Sequence, residues 1–385
     1  MNIVLFDEPD IRLALLPFTF TRPVAAIRVG IYTIFEKWQM LAGQSVCFMT
    51  EEYLSIKFAL ETGQDNLFVN GAVCPTPALF NALKGLKPGK VLFKNGVIIG
   101  YRKKPEGERI EFDGNLDVLQ RPWDIFGLNG SQIRCDFELL KRKHRSKPLT
   151  DKNSIVYNPE NIFIEEGVKI RAAILNAEEG PIFIGKNSEI QEGAIIKGPF
   201  AMGERSQISM GAKIKGDTTL GPCCKVGGEV VNSVIFGYSN KAHDGFLGNS
   251  VLGEWCNLGA DTNTSNLKNN YSEVLVYSYK EKRLVKTGKQ FVGLMMGDHS
   301  KSGINTMFNT GTIVGVSANI FGGGYQPKFI PSFSWGGTDN FVRFQFNKAI
   351  DVAEKVMQRR NVILTVTDIS ILKNIYSLDD QPVLS

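Results

Sequence analysis

The stretch Ile184-Gly185-Lys186-Asn187-Ser188-Glu189-Ile190-Gln191-Glu192-Gly193-Ala194-Ile195-Ile196 sets an aliphatic residue at every sixth position, and Met202 follows in step. The ladder continues through Ile208, Ile214, Leu220 and Val226. After a slip in phase it resumes at Val234, with Asn240 as a polar rung, then Phe246, Leu252 and Leu258. It returns at Met296, Ser302, Phe308, Val314 and Ile320. Helices repeat at about 3.6 residues and strands at about 2, so neither produces a strict period of six. Hexapeptide periodicity belongs to a parallel β-helix, where each rung lays one aliphatic side chain into a shared core. Glycine follows the aliphatic position in Ile184-Gly185, Met202-Gly203, Leu220-Gly221 and Leu258-Gly259, where the chain turns a corner.

Working outward, residues 155–325 are expected to hold the solenoid, interrupted by a polar excursion from Thr262 to Lys289 whose period is too irregular for rungs. Such excursions often build a binding site. Residues 326–385 return to helical periodicity, with Phe346–Arg359 and Asp368–Tyr376 as helices that can cap the last open coil. Residues 126–154 read as a connecting segment, basic and amphipathic near Asp136–Arg145. Residues 1–125 alternate strand-like segments (Asn2–Phe6, Ser45–Met49, Asn66–Val69, Lys90–Ile99) with helix-like ones (Ile31–Leu41, Pro77–Gly85). That alternation favours an α/β domain with a mostly parallel sheet.

With 385 residues there is room for two cores, and 43% hydrophobic with 22% charged residues is a globular composition. A formal charge of +5 suits local anion sites better than a nucleic-acid-binding face. No apolar run reaches the length of a membrane span. The N-terminus turns acidic at Asp7-Glu8 without a basic leader, so a signal peptide is not expected. The six cysteines form no CxxC pair and no zinc spacing, which predicts reduced thiols and a cytoplasmic location.

Chemistry concentrates beside the phase slip. Ala242-His243-Asp244-Gly245-Phe246-Leu247-Gly248-Asn249-Ser250-Val251 is followed by Asn257-Leu258-Gly259-Ala260-Asp261-Thr262 and Ser265-Asn266-Leu267, and later by Gly297-Asp298-His299-Ser300-Lys301-Ser302-Gly303-Ile304-Asn305. His243 is one of three histidines and can act as a general base near neutral pH; by itself it can equally be a hydrogen-bonding corner residue. These motifs, in this order, resemble the acetyltransferase domain of the bifunctional sugar-1-phosphate nucleotidyltransferase/acetyltransferases of UDP-N-acetylglucosamine synthesis, the archaeal type above all. The resemblance covers about 225–325. It implies a left-handed β-helix, acetyl-CoA as acyl donor, an amino-sugar phosphate as acceptor, and a homotrimer with active sites between neighbouring solenoids.

Residue by residue, the resemblance makes His243 the base, Asn266 the substrate-amide contact, Asn257 a polar contact on the next coil and Glu229 a group near the sugar. Phe246 replaces the family's Tyr and Asp261 a Gly, departures that point to an altered sugar or acyl group. Corner hydrogen bonding is the competing reading for Asn257 and Asn266. Lys280, Lys282 and Arg283, with Lys286 and Lys289, can meet CoA or sugar phosphates or simply decorate a solvated hairpin. Lys301 joins them as a candidate cofactor contact, whereas His299 falls on a variable position and reads as a surface residue.

In the N-terminal domain, Leu16-Pro17-Phe18-Thr19-Phe20-Thr21-Arg22-Pro23 resembles a segment of sugar-phosphate nucleotidyltransferases. There a glycine-rich loop cradles the nucleotide phosphates. Here Phe6-Asp7-Glu8-Pro9-Asp10-Ile11-Arg12 has no glycine and three acids, and Ala72 aligns with the family's Mg²⁺-binding Asp. The domain therefore reads as nucleotidyltransferase-like but degenerate, with Arg12 and Arg22 as remaining anion contacts, although Arg22 can equally be a structural ion-pair partner. Mg²⁺ is expected only if that domain is active. CoA-dependent N-acyl transfer is the leading reading, and nucleotidyl transfer and a non-catalytic sugar-nucleotide-binding or scaffold role are the alternatives.

Overall fold

A computed structural model describes residues 2–378. The chain forms two compact units, one of residues up to Arg28 with Tyr32–Asp124 and one of Val29–Ile31 with Ile125 onward. The first is built on a six-stranded sheet in the order β2-β1-β3-β5-β4-β6. Its strands are β1 (Asn2–Phe6), β2 (Val46–Met49), β3 (Asn66–Asn70), β4 (Lys90–Lys94), β5 (Val97–Arg102) and β6 (Glu108–Glu111). The helices are α1 (Pro9–Ala14), α2 (Ile34–Ala42), α3 (Glu52–Ser55) and α4 (Pro77–Lys84). β1 pairs in parallel with β2 and β3, as does β4 with β6.

The segment Lys90–Ile99, read as one strand, is instead a hairpin. Asn95 and Gly96 take left-handed φ values of 49° and 79° and reverse the chain between β4 and β5. α2 begins three residues later than its periodicity suggests, because Thr33 and Glu36 form a capping box that fixes its start.

The second unit, which takes in α5 (Pro122–Lys143) from Ile125 onward, continues into a left-handed parallel β-helix. Its first face runs from Ile155–Tyr157 to Phe246–Gly248, and Asn263–Thr264 and Met307–Phe308 pair in parallel further along the chain. The second face runs from Ile162–Ile164 to Phe329–Ile330, and the third from Lys169–Ile170 to Ser334–Gly337. Ile184, Met202 and Leu220 stack in register on the second face, and Ile190, Ile208 and Val226 on the third. All six are essentially inaccessible, and burying an aliphatic side chain contributes about 1.5–3 kcal/mol, so the column drives the winding.

The ladder is corrected after the phase slip. Leu220 pairs with Ile235, not Val234; Val226 with Lys241, not beside Asn240; and Val230 with Leu247, not Phe246. The inward side chains are thus Ile235, Lys241 and Leu247, while Asn240 and Phe246 stay partly exposed. The cause is a shortened coil. Val226 to Val230 spans four residues and Val230 to Ile235 five, where Ile208 to Ile214 and Ile214 to Leu220 each span six, so the phase shifts by an amount the pattern alone does not reveal. The excursion also begins later than Thr262, because Asn263–Thr264 is a regular rung with Thr264 buried.

The tail forms α6 (Phe346–Gln358) and α7 (Val366–Leu378). Tyr376 of α7 packs edge-on to Phe333 of the last coil at 4.9 Å, and Phe346 lies 6.2 Å from the same ring, so the helices cover the end of the core as expected.

Candidate active site

His243 stands exposed on the edge where the chain passes from the third face to the first, between the strands Asn240–Lys241 and Phe246–Gly248. Three residues on, Phe246 points outward from the first face, and Glu229 is its direct partner on the preceding coil. Glu229 accepts from Lys215 Nζ at 2.6 Å. Gly248 brings the next two groups together. A Cβ placed there would lie 2.5 Å from Phe246 Cζ and 2.7 Å from Asn266 Nδ2, so the ring and the amide both rest over the bare glycine. Asn266 Nδ2 donates to Asn249 Oδ1 at 2.7 Å. The corner hydrogen bond expected as the competing role of Asn266 therefore exists, and its carboxamide is oriented by it.

The same surface contains a residue that pattern reading passed over. Asn263 accepts from the Phe246 amide at 2.9 Å and donates to the Asp261 carbonyl at 3.0 Å. It thereby ties the Asp261 corner to the strand carrying Phe246. Asp261 is exposed and left-handed, φ 57°, a conformation glycine takes at no cost. Its position outside the rungs in the periodicity reading hid Asn263.

Asn257 lies elsewhere. It sits on the third face, accepting from Asn240 Nδ2 at 3.3 Å, and Asn240 accepts from Arg360 Nη2 at 2.7 Å. Within one chain it does not join Glu229, Phe246 and Asn266 on the first face.

The basic residues divide. Lys280, Lys282 and Arg283 belong to the exposed tip of the hairpin Leu275–Ser278/Arg283–Lys286, whose Tyr277 stacks on Phe329 at 3.8 Å. Arg283 pairs with Glu281 at 2.6 Å. Lys301 is not a solvent-facing cofactor contact. Its ammonium donates to the His299 carbonyl at 2.7 Å, and it shares a small crevice with Ala349 and Val352 of α6. Burial pushes its pKa down to about 8. His299, expected at the surface, is partly buried, its ring 6.2 Å from Trp255.

In the first unit, the end of β1 is closed by an internal network. Asp7 accepts from the Val24 amide at 2.8 Å and Thr50 Oγ1 at 2.6 Å and pairs with Arg12 Nε at 3.4 Å. Arg12 Nη2 also donates to the Thr19 carbonyl and the Tyr53 hydroxyl, both at 2.8 Å. Arg12 and Arg22 are 8% and 5% exposed. Reading Arg12 as an open anion contact is therefore corrected, because its donors face inward. Burial raises the Asp7 pKa from 3.8 to about 6, against the lowering effect of Thr50, the Val24 amide and Arg12. Ala72 is buried with its amide bonded to Asn70 Oδ1 at 3.0 Å and offers no carboxylate, so the residues at that position do not fit Mg²⁺. Among the described residues, no group of three or more His, Cys, Asp or Glu is placed to hold a metal.

Comparison with known proteins agrees with the motifs. Residues 3–145 match the family model described as sugar nucleotidyl transferase. The chain is 32% identical over 216 residues to a bifunctional sugar-1-phosphate nucleotidylyltransferase/acetyltransferase of Sulfurisphaera tokodaii, covering 56% of this chain and 47% of that protein. It is 38% identical over 87 residues to the bifunctional protein GlmU of Methanocaldococcus jannaschii, covering 23% and 21%. Among solved structures, the polySia-specific acetyltransferase NeuO aligns with 54% of this chain and 99% of its own at 12% identity and a TM-score of 0.30. The chain spans about half the length or less of the curated relatives it matches. It is thus related to the bifunctional sugar-1-phosphate nucleotidyltransferase/acetyltransferases, in line with the motifs around His243 and Arg22.

Proposed function

We propose that this chain transfers an acyl group from acetyl-CoA or a related thioester to the amine of an amino-sugar phosphate or nucleotide-linked amino sugar. The observation that carries this reading is the meeting of Phe246 and Asn266 over Gly248, with Glu229 beside Phe246 on the preceding coil, on the face that begins at the His243 edge. His243 is the general base. As the sugar nitrogen attacks the thioester carbonyl, a C–N bond forms and His243 takes the amine proton; the C–S bond then breaks, and the thiolate leaves with that proton. Glu229 and Asn266 hydrogen-bond the sugar, and the Phe246 ring offers an apolar surface without the hydroxyl of a Tyr. Lys280 and Lys282 at the hairpin tip supply cations for phosphate groups.

Asn257 can reach such a substrate only from a neighbouring copy, which favours a homotrimer with shared sites. The test is thiol release from acetyl-CoA across a panel of amino-sugar phosphates. His243→Gln should lower turnover about 10²–10⁴-fold, the usual contribution of a general base; equal turnover by wild type and variant would falsify the assignment.

Nucleotidyl transfer by the first unit is favoured as a second reading by the family match over residues 3–145. The Asp7–Arg12 network argues against an open phosphate cradle there. Pyrophosphate release from UTP or dTTP with Mg²⁺ and a sugar-1-phosphate tests it. Ligand binding without turnover in either assay would favour a scaffold role.

A further inference from the structure

Lys241 occupies a position that the winding reserves for an aliphatic residue. It follows Val226 in the inward column of the third face, and only 2% of it is exposed. Its stem lies in the apolar core, but its ammonium leaves that core at the edge bearing His243. There it donates to the carbonyl of His243 and, at 3.1 Å, to that of Asp244.

The coil beneath leaves this corner less tied by backbone bonds than its neighbours. Along this edge, backbone bonds tie each corner to the one below: Gly193 to Ala172 at 2.9 Å, Gly211 to Glu192 at 3.0 Å, Asp261 to Asp244 at 3.1 Å and Asn305 to Ala260 at 2.8 Å. The shortened coil at Gly227–Gly228 interrupts that column. Among the described residues, the amides of Gly228, Asp244 and Gly245 make no equivalent bond. A Cβ on Gly228 would lie 2.9 Å from Lys241 Nζ, so the missing side chain is what leaves room for the ammonium. Among the described residues the Asp244 carbonyl keeps its bond from the Asp261 amide, whereas the His243 carbonyl accepts no such backbone bond, and the ammonium supplies a charged donor, the stronger kind, to both.

We infer that Lys241 is a positioning residue: its buried ammonium bridges the His243 and Asp244 carbonyls and fixes the corner that presents His243 to substrate. The inference rests on the acyl-transfer reading of His243. The side-chain carboxylates of Asp244 and Asp261 face the same ammonium and favour its charged form, although burial, the larger effect, lowers its pKa to about 8. Replacing the ion with an apolar chain of similar length leaves the column packed between Val226 and its other inward neighbours while removing both hydrogen bonds.

The experiment is a double-mutant cycle between K241M and H243Q, read as kcat and as KM for acetyl-CoA, with melting to confirm folding. K241M should lower kcat on the order of tenfold to a hundredfold, as small misplacements of catalytic groups do, with little change in KM. In the H243Q background it should cost nothing further, because Lys241 acts through His243. Loss of the same factor in both backgrounds, or no loss in the wild-type background, overturns the inference. A ¹³C spectrum of the imidazole rings is the second readout, with H243Q assigning the signal. K241M should shift or broaden the His243 resonance, and an unchanged resonance overturns the inference whether or not the protein proves to be an acyltransferase. If H243Q leaves turnover intact, the acyl-transfer reading fails by itself and the ring spectrum alone decides the role of Lys241. Should K241M not fold, K241Q takes its place in both measurements.

Discussion

Arg12 and Lys241 are both buried cations, one near the end of β1 and the other under the His243 corner, and they do opposite things. Arg12 meets a carboxylate, a carbonyl and a hydroxyl, and with Asp7 and Tyr53 it closes the ground where a phosphate loop would open. Lys241 hydrogen-bonds main-chain carbonyls, and those belong to a corner whose side chains face solvent. A buried ion pair fills space between elements. A buried ammonium bound to one turn stiffens that turn and leaves its outer surface free. The first unit fills the end of β1 with its own buried partners, whereas the second bends its regular core to support an exposed polar edge.

The largest effect that would break this contrast lies at Arg12. Arg12→Met leaves Asp7 without its buried partner, and breaking such a pair costs about 3–5 kcal/mol. Denaturant unfolding of the first unit should shift accordingly, with thiol release by the second unit within about twofold of wild type, well short of the tenfold change that accompanies 1.4 kcal/mol. Loss of acyl transfer without loss of stability would mean that Arg12 serves the reaction after all.

A smaller effect is the pH dependence of the same network. Asp7 has a folded-state pKa of about 6 against 3.8, so the folded state holds its proton more tightly. That contribution is greatest below pH ~4 and is lost as pH rises through ~6. Relative to Asp7→Asn, wild type should therefore lose about 2 kcal/mol of stability between those pH values. Urea titrations at intervals of pH measure the slope, and a rising difference would contradict the burial-dominated account.

The smallest expected change sharpens the other side of the contrast. In Gly248→Ala the added methyl must displace Phe246 and the Asn266 amide, flexible side chains whose movement costs about 1 kcal/mol. The melting temperature should fall by only a few degrees, and the rate of acyl transfer by about tenfold. A rate unchanged by this substitution would separate Phe246 and Asn266 from the reaction surface.

The solenoid was legible in the sequence because its driving force repeats locally. Each rung buries one side chain at a fixed spacing, as Ile184, Ile190, Ile196 and Met202 do, and no distant residue is needed to see it. The two tail helices were legible for the same reason, their periodicity placing both within a few residues of where they form. Part of the candidate site was legible too: His243, Glu229, Phe246 and Asn266 were picked out by motif, and they lie on or beside one face of the solenoid.

The remainder required the tertiary structure. Which residue turns inward after a corner depends on how many residues the corner consumes, and the two corners between Val226 and Ile235 together consume three fewer than the six-residue period predicts. A one-residue change of phase exchanges inside for outside, which is how Lys241 entered the core unannounced and Phe246 left it. Arg12 looked available for the converse reason: the groups that hold it, Thr19 and Tyr53, lie 7 and 41 residues away along the chain. Periodicity records which side chains want to be buried; hydrogen-bond partners far apart in sequence decide where the charged ones go.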